Sequence, residues 1–295
     1  RYRTPHLLME STGNIYSLAI ERFGSLVANQ VYLGVIIPIS SVSTPRMLPL
    51  IRLFSAKFEL AAISNFAVRP AKLFDGVDMN LTIFIGRFNQ YAKQTRLFST
   101  QYVRWNERTR KSLFPCLRFS PTTVVIADAF IGKLAFDTER SLLSKINSQP
   151  RITNTENKVG CDKLFYHSGG RYYRKCLKEK LSSEYKQLCV DKGNGPSLIC
   201  IITSSFYYWL WLVSSDCYHV TKGDIAMLPV PASTKNNTLL KLLSENLLES
   251  LWKNAEKRHR NRSDGSSSME INFNVGVSKP IIDEIDTVLA AHYGF

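Results

Sequence analysis

Residues 31–40 read VYLGVIIPIS. The run Val31–Ile37 is apolar throughout and is closed by Pro38, the pattern of a strand buried on both faces in a layered α/β sheet. Working outward, Asn14 is placed to cap a helix running to about Ala28, with Ile15, Leu18, Ala19, Phe23 and Leu26 spaced for one face. Downstream, Pro45 to Ser55 predicts a shorter helix. FELAAIS (58–64) and NLTIFIG (80–86) predict two further strands. Between them lies the loop FAVRPAKLFDGVDM (66–79), marked by Pro70 and the turn pair Asp75-Gly76. Helix, strand, helix, strand, loop, strand makes half of a layered α/β domain.

From about Gln90 to Pro150 the texture changes to short basic segments, broken at Phe114-Pro115 and Ser120-Pro121, with one β-branched strand expected over Thr122 to Ala127. Residues 158–178, KVGCDKLFYHSGGRYYRKCLK, predict a hairpin about a tight turn at Ser168-Gly169-Gly170. The densest aromatic stretch is SFYYWLWLVSSDCYH (205–219). Its uninterrupted apolar part, Phe206 to Val213, is far short of the roughly 20 residues a membrane-spanning helix needs. Ser204 or Ser205 is a good N-cap, and a helix apolar all round belongs in a core. DIAMLPVP (224–231) is expected to be a linker. Asn237 or Thr238 then opens a long helix with a stripe of Leu240, Leu243, Leu247 and Leu251, ending in the basic run KRHRNR (257–262). A flexible serine-rich break follows at 263–268. Ser278-Lys-Pro280 begins the last helix and Gly294 ends it. No internal repeat is visible.

The 295 residues suit two domains, and 44% hydrophobic with 21% charged residues is a globular composition, which excludes a disordered chain. Lys and Arg outnumber Asp and Glu by eleven to five in residues 1–100 and by eighteen to nine in 101–200, but stand nine to ten in 201–295. A basic front and middle points to a polyanion, with nucleic acid ahead of an anionic membrane. Six cysteines without CxxC spacing fit reduced thiols in a cytoplasmic protein. The chain opens at Arg1 without a signal segment and has the look of a piece of something longer.

The hairpin carries the strongest chemical signal: Lys163, Tyr166, Arg171, Tyr172, Tyr173, Arg174, Lys175 and Lys178. Its cations suit phosphates, and Arg also suits a guanine edge. The other reading is a solvated basic strand with its tyrosines in the core; both stand. Arg104, Arg108, Arg110 and Lys111 form a second cluster, taken as a solvated face. Cys161 with His167, and Cys217 with His219, lack the paired spacing of a zinc site, and sequence adjacency does not make a nucleophilic dyad. No phosphate loop, dinucleotide turn, HExxH or GxSxG is present. The residues alone offer no complete active site and no metal site.

Taken together, NIYSLAIERF (14–23) with VYLGVIIPIS, RPAKLFDGVDMNLTIFIGRF (69–88), KLFYHSGGRYYRKCL (163–177), SFYYWLWLVSSDCYHVTKGDIAMLPVP (205–231) and SKPIIDEIDTVLAAHYGF (278–295) resemble, in order, one family. It is the adenine-N6 DNA methyltransferases of type II restriction–modification systems, in which the methylase is fused to its target-recognition region. The resemblance implies an α/β fold. Residues 1–90 would be the C-terminal half of a class I methyltransferase-like (Rossmann-like) sheet, 91–235 a mixed α+β target-recognition domain, and 236–295 C-terminal helices. It implies double-stranded DNA as partner, and leaves open a fused or associated nuclease domain.

Residue by residue, the resemblance matches Phe74 to an aromatic that stacks on the flipped adenine; packing beneath the loop is the alternative. Arg69 and Lys72 on the same loop would contact phosphates, and Lys222 would reach the backbone. The glycine-rich S-adenosylmethionine motif and the catalytic tetrapeptide are not in the sequence and would precede Arg1; Phe295 is also an early end for the family. The chain alone is therefore expected to hold no catalytic residue, bind no cofactor and transfer no methyl group. Two rival readings are a non-catalytic DNA-binding specificity module or degenerate remnant, and a membrane-surface protein using the basic face and the aromatic helix.

Overall fold

The computed structural model describes residues 8–125, 127–152, 160–169, 173–261 and 267–295. The chain packs as two compact units, Arg1–Ser144 with Leu212–Cys217, and Lys145–Trp211 with Tyr218–Phe295. It is mixed α/β, and its largest sheet has five strands.

In the first unit, helix α1 (Ile15–Leu26) leads to strand β1 (Tyr32–Pro38), helix α2 (Leu48–Ala56), β2 (Phe58–Phe66), β3 (Leu81–Phe88) and β4 (Arg96–Val103). The short strands β5 (Ser120–Pro121), β6 (Val124–Val125) and β7 (Phe130–Ile131) and helix α3 (Asp137–Asn147) follow. The sheet order is β1-β3-β2-β4-β5, with β3 antiparallel to both β1 and β2, and β4 parallel to β2. The expected elements over 14–88 are all present. Two details differ from the sequence reading. β1 lies at the sheet edge and is buried on one face only: Leu33 and Ile37 point inward, while Tyr32 and Ile36 are exposed, as is Ile85 on the neighbouring β3. α1 buries Ser17 and Ile20 and leaves Ile15, Ala19 and Leu26 exposed, because its contact stripe is rotated from the most apolar one.

An aromatic cluster fills the core beneath this sheet. Phe54 stacks on Phe84 with centroids 4.0 Å apart, and Phe58 meets Phe84 and Phe88 edge-on at 4.9 and 5.6 Å. Gly86 is required there, since a Cβ would lie 2.7 Å from Phe58 and 2.9 Å from Phe84.

β4 is a strand the sequence reading missed, and its parallel pairing to β2 brings the chain beyond residue 91 into the first unit. The pairing shifts register between Ile63 and Asn65. There Asn65 supplies the missing bonds: its backbone N–H donates to Thr100 Oγ1 (3.0 Å), its side-chain amide donates to Thr100 O (3.1 Å), and its Oδ1 accepts from Thr82 Oγ1 (2.9 Å).

The second unit has a three-stranded antiparallel sheet of β8 (Asp162–His167), β9 (Cys176–Leu177) and β10 (Tyr185–Val190), in the order β10-β8-β9. A hairpin is present in β8 and β9, paired Phe165 with Leu177 and Tyr166 with Cys176, but its arms are joined through residues 168–175 and not by a tight turn at Ser168-Gly169-Gly170, of which Gly170 lies outside the described residues. Helix α4 (Gly195–Thr203) is buried along most of its length. Asp162 Oδ2 fastens its start by accepting from Gly193 N and Gly195 N at 2.9 and 3.0 Å. Helix α5 (Ser205–Ser214) follows at a bend of 64°. Ser204 Oγ accepts from Tyr207 N at 3.1 Å, the N-cap contact expected of it. Tyr207, Leu210, Trp211 and Val213 are buried, as a core helix requires. Among the described residues no single helix is long and apolar enough to cross a membrane.

Helix α6 (Lys222–Ala226) begins with a Thr221–Asp224 capping box, where a linker was expected. In helix α7 (Thr238–Lys253) the cap is Asn237, whose Oδ1 accepts from Leu240 N at 2.9 Å, and the leucine stripe 240/243/247/251 is buried. The run KRHRNR does not extend this helix. It lies largely on β11 (Ala255–Asn261), paired antiparallel with β12 (Ser267–Phe273). β-branched and aromatic residues on β12 (Ile271, Phe273) supply the strand preference that the charge run masked. Helix α8 (Lys279–Tyr293) ends on Gly294 in the left-handed region, φ 80°.

Candidate nucleic-acid interface

The loop joining β2 to β3, residues 67–80, is held by its base. Ala67 N donates to Val103 O (2.9 Å) and Ala71 N to Trp105 O (3.2 Å). Asn80 closes the other end: its Oδ1 accepts from Val68 N (3.0 Å) and from the Tyr102 hydroxyl (2.8 Å), and its amide donates to Asp216 O (3.0 Å). Ala71 and Leu73 pack inward with Phe66, Trp105 and Leu113 in a small core of their own. Arg110 clamps the loop from outside, donating to Lys72 O (3.2 Å) and Leu73 O (2.9 Å) while its guanidinium lies 5.3 Å over the Trp105 ring.

This packing decides the orientation of Phe74. Leu73 fills the space beneath the loop, so the next side chain is turned out, and Phe74 is 43% exposed. The turn behind it is made by Gly76 at φ 75°, with Val77 N donating to Phe74 O at 3.4 Å. Arg69 is exposed on the same loop. Lys72 is half-exposed and paired with Asp78 at 2.6 Å; the Lys72 ammonium holds the Asp78 carboxyl below the usual carboxylate range. Lys72 therefore meets a phosphate only by leaving Asp78, an exposed pair worth little in water.

The hairpin cations are dispersed. Lys163 and Lys178 are exposed. Arg171 and Tyr172 lie outside the described residues. Arg174 is not a surface residue: it is 1% exposed, with its guanidinium carbon 3.5 Å from the Trp211 ring centroid. Its delocalised, weakly hydrated cation is the type that stacks on an indole inside a protein. Lys175 is half-buried and sits 5.8 Å over the Phe273 ring; burial lowers its pKa. Lys222 is exposed at the start of α6. Of the residues expected to touch DNA, Phe74, Arg69, Lys163, Lys178 and Lys222 are presented to solvent, and Arg174 is withdrawn into the core.

The cluster Arg104, Arg108, Arg110 and Lys111 is exposed, as expected of a solvated face, and its segment continues to Arg118. Arg104, Arg108, Arg110, Lys111 and Arg118 are all exposed there, against one acid, Glu107. Phe114, Phe119 and Phe136 are exposed as well. Trp105 in the midst of the charges is buried, with Arg110 over its ring. A groove of about 400 Å³ opens in this region, with Arg104, Trp105, Leu113, Cys116, Arg118 and Phe136 among its lining.

Burial pushes the Cys217 thiol up to about 11, keeping it protonated at neutral pH. Among the described residues no three His, Cys, Asp or Glu side chains are grouped to hold a metal ion. All six cysteines are free. Neither the protein-family models nor the curated proteins contain a match to this chain.

Proposed function

We propose that this chain is the base-holding and target-recognition part of a site-specific DNA adenine-N6 methyltransferase of a restriction–modification system, acting on double-stranded DNA in the cytoplasm. The observation that carries the reading is Phe74, an aromatic turned out at the tip of a braced loop that also carries the exposed Arg69 and is clamped by Arg110. An enzyme that modifies a base inside a duplex must take that base out of the stack, and an exposed, pre-oriented ring is what receives it. The antiparallel pairing of β2 with β3, with this loop between them, supports the same reading, since the resemblance implies a final strand pair joined by such a loop.

No described strand of the sheet enters a helix through a glycine-rich turn, so the residues present do not form an S-adenosylmethionine cradle, and no transfer step is assigned to them. A second reading is a DNA-binding module without catalysis. Both readings require DNA binding.

The test is fluorescence anisotropy of a labelled duplex across a salt series. Phosphate contact predicts that log K falls linearly with log salt, by roughly 0.9 per phosphate neutralised. No binding at low ionic strength, or binding indifferent to salt, overturns the proposal. Comparable binding to anionic vesicles would move the chain to the membrane-surface class.

A further inference from the structure

The groove beside the loop has features that the Phe74 reading does not use. Trp105 forms part of its wall and is 5% exposed, yet its indole Nε1 is buried without an acceptor. A buried donor without a partner is costly and calls for an explanation. Arg104 and Arg118 line the same groove and are exposed, and Phe136 offers a ring that is 47% exposed, with Arg118 5.9 Å from its centroid. A volume of about 400 Å³ is the size of one nucleotide-scale ligand. Cationic rim, exposed aromatic and orphaned donor together match a phosphate, a base face and an acceptor oxygen.

We propose that this groove is a second subsite, which holds one nucleotide of the nucleic-acid strand engaged by the Phe74 loop. Its phosphate lies on Arg104 and Arg118, its base against Phe136, and an oxygen of the nucleotide accepts from Trp105 as the wall adjusts. The inference rests on the DNA reading above, and the segment 104–118 that clamps the loop through Arg110 also lines the groove, so the two would fill together.

Cys116 makes the test direct. It lines the groove and is the one cysteine of the six that is exposed. The full chain is saturated with duplex oligonucleotide, saturation being followed by anisotropy, and alkylation of Cys116 by N-ethylmaleimide is timed by mass spectrometry. Bound DNA should slow the reaction about tenfold or more, as burial of an exposed thiol does. Phe136→Ala should weaken DNA binding about tenfold, the scale of one lost base stack. Arg118→Gln should lower the salt slope by about one.

If DNA binds but Cys116 reacts at its free rate, the groove proposal falls and the DNA reading survives. If no oligonucleotide binds, both fall. If heparin, which has phosphate-like charge and no bases, protects Cys116 equally and Phe136→Ala changes nothing, the groove is a polyanion site and the nucleotide assignment is overturned.

Discussion

Replacing Trp211 with alanine tests whether α5 and Arg174 form a structural core. Trp211 is 1% exposed, lies under the Arg174 guanidinium at 3.5 Å, stacks beside Tyr208 at 6.1 Å and donates its indole N–H to His219 O at 3.4 Å. A tryptophan buries about 200 Å². At about 25 cal/mol per Å² this is worth about 5 kcal/mol, in line with the ~3–5 kcal/mol seen for large-to-small core substitutions. The desolvated cation–π contact adds about 2 kcal/mol. Against a total stability of about 5–15 kcal/mol, the variant should be largely unfolded or shifted far down a urea curve followed by far-UV circular dichroism. Trp209, only partly buried on the same helix, should cost about half as much. A Trp211→Ala protein whose midpoint stays within about 1 kcal/mol of the parent, or a costlier Trp209→Ala, would refute the reasoning.

Asn80→Ala removes both acceptor contacts at the base of the Phe74 loop and the donor to Asp216 O, and should cost about 2–4 kcal/mol in thermal or urea unfolding. Gly86→Ala drives a methyl into Phe58 and Phe84 and should cost about 1–3 kcal/mol by the same measurement. For His167, burial first and then the Lys175 charge lower the imidazole pKa, while Nδ1–H donates to Gly169 O at 2.6 Å. The unfolded chain therefore protonates before the folded one. Stability from this group is complete above about pH 6.5 and is lost as pH falls towards the lowered folded value. A His167→Asn protein should show a shallower loss of melting temperature between about pH 7 and pH 5.5; an unchanged slope would remove His167 as the cause.

The elements best read from the sequence are those whose ends carry prolines or cap residues: Asn14, Pro38, Ser204, Asn237 and Gly294 all lie at or next to element ends. β4 was hidden, since RLFSTQYV alternates poorly and owes its strand to pairing with β2 and to the Asn65 network. The β11–β12 pair was masked by the basic run, whose charges imitate a helix end. Burial was the least legible quantity. Arg174 reads as a DNA contact by its neighbours in sequence, and only tertiary packing puts Trp211 against it. Phe74 was ambiguous for the same reason, and Leu73 occupying the inner space resolved it. The groove lined by Arg104, Arg118 and Phe136 joins residues up to 32 positions apart, a spacing that carries no local pattern.

The most direct measurement compares the dissociation constant of the parent chain and Phe74→Ala for one duplex enriched from a random pool, at fixed salt. The account expects Phe74→Ala to bind about 5- to 150-fold more weakly, the worth of a lost base stack, with the salt slope and the unfolding midpoint unchanged because no phosphate contact and little buried area are removed. Equal dissociation constants would contradict the claim that this loop tip meets a base.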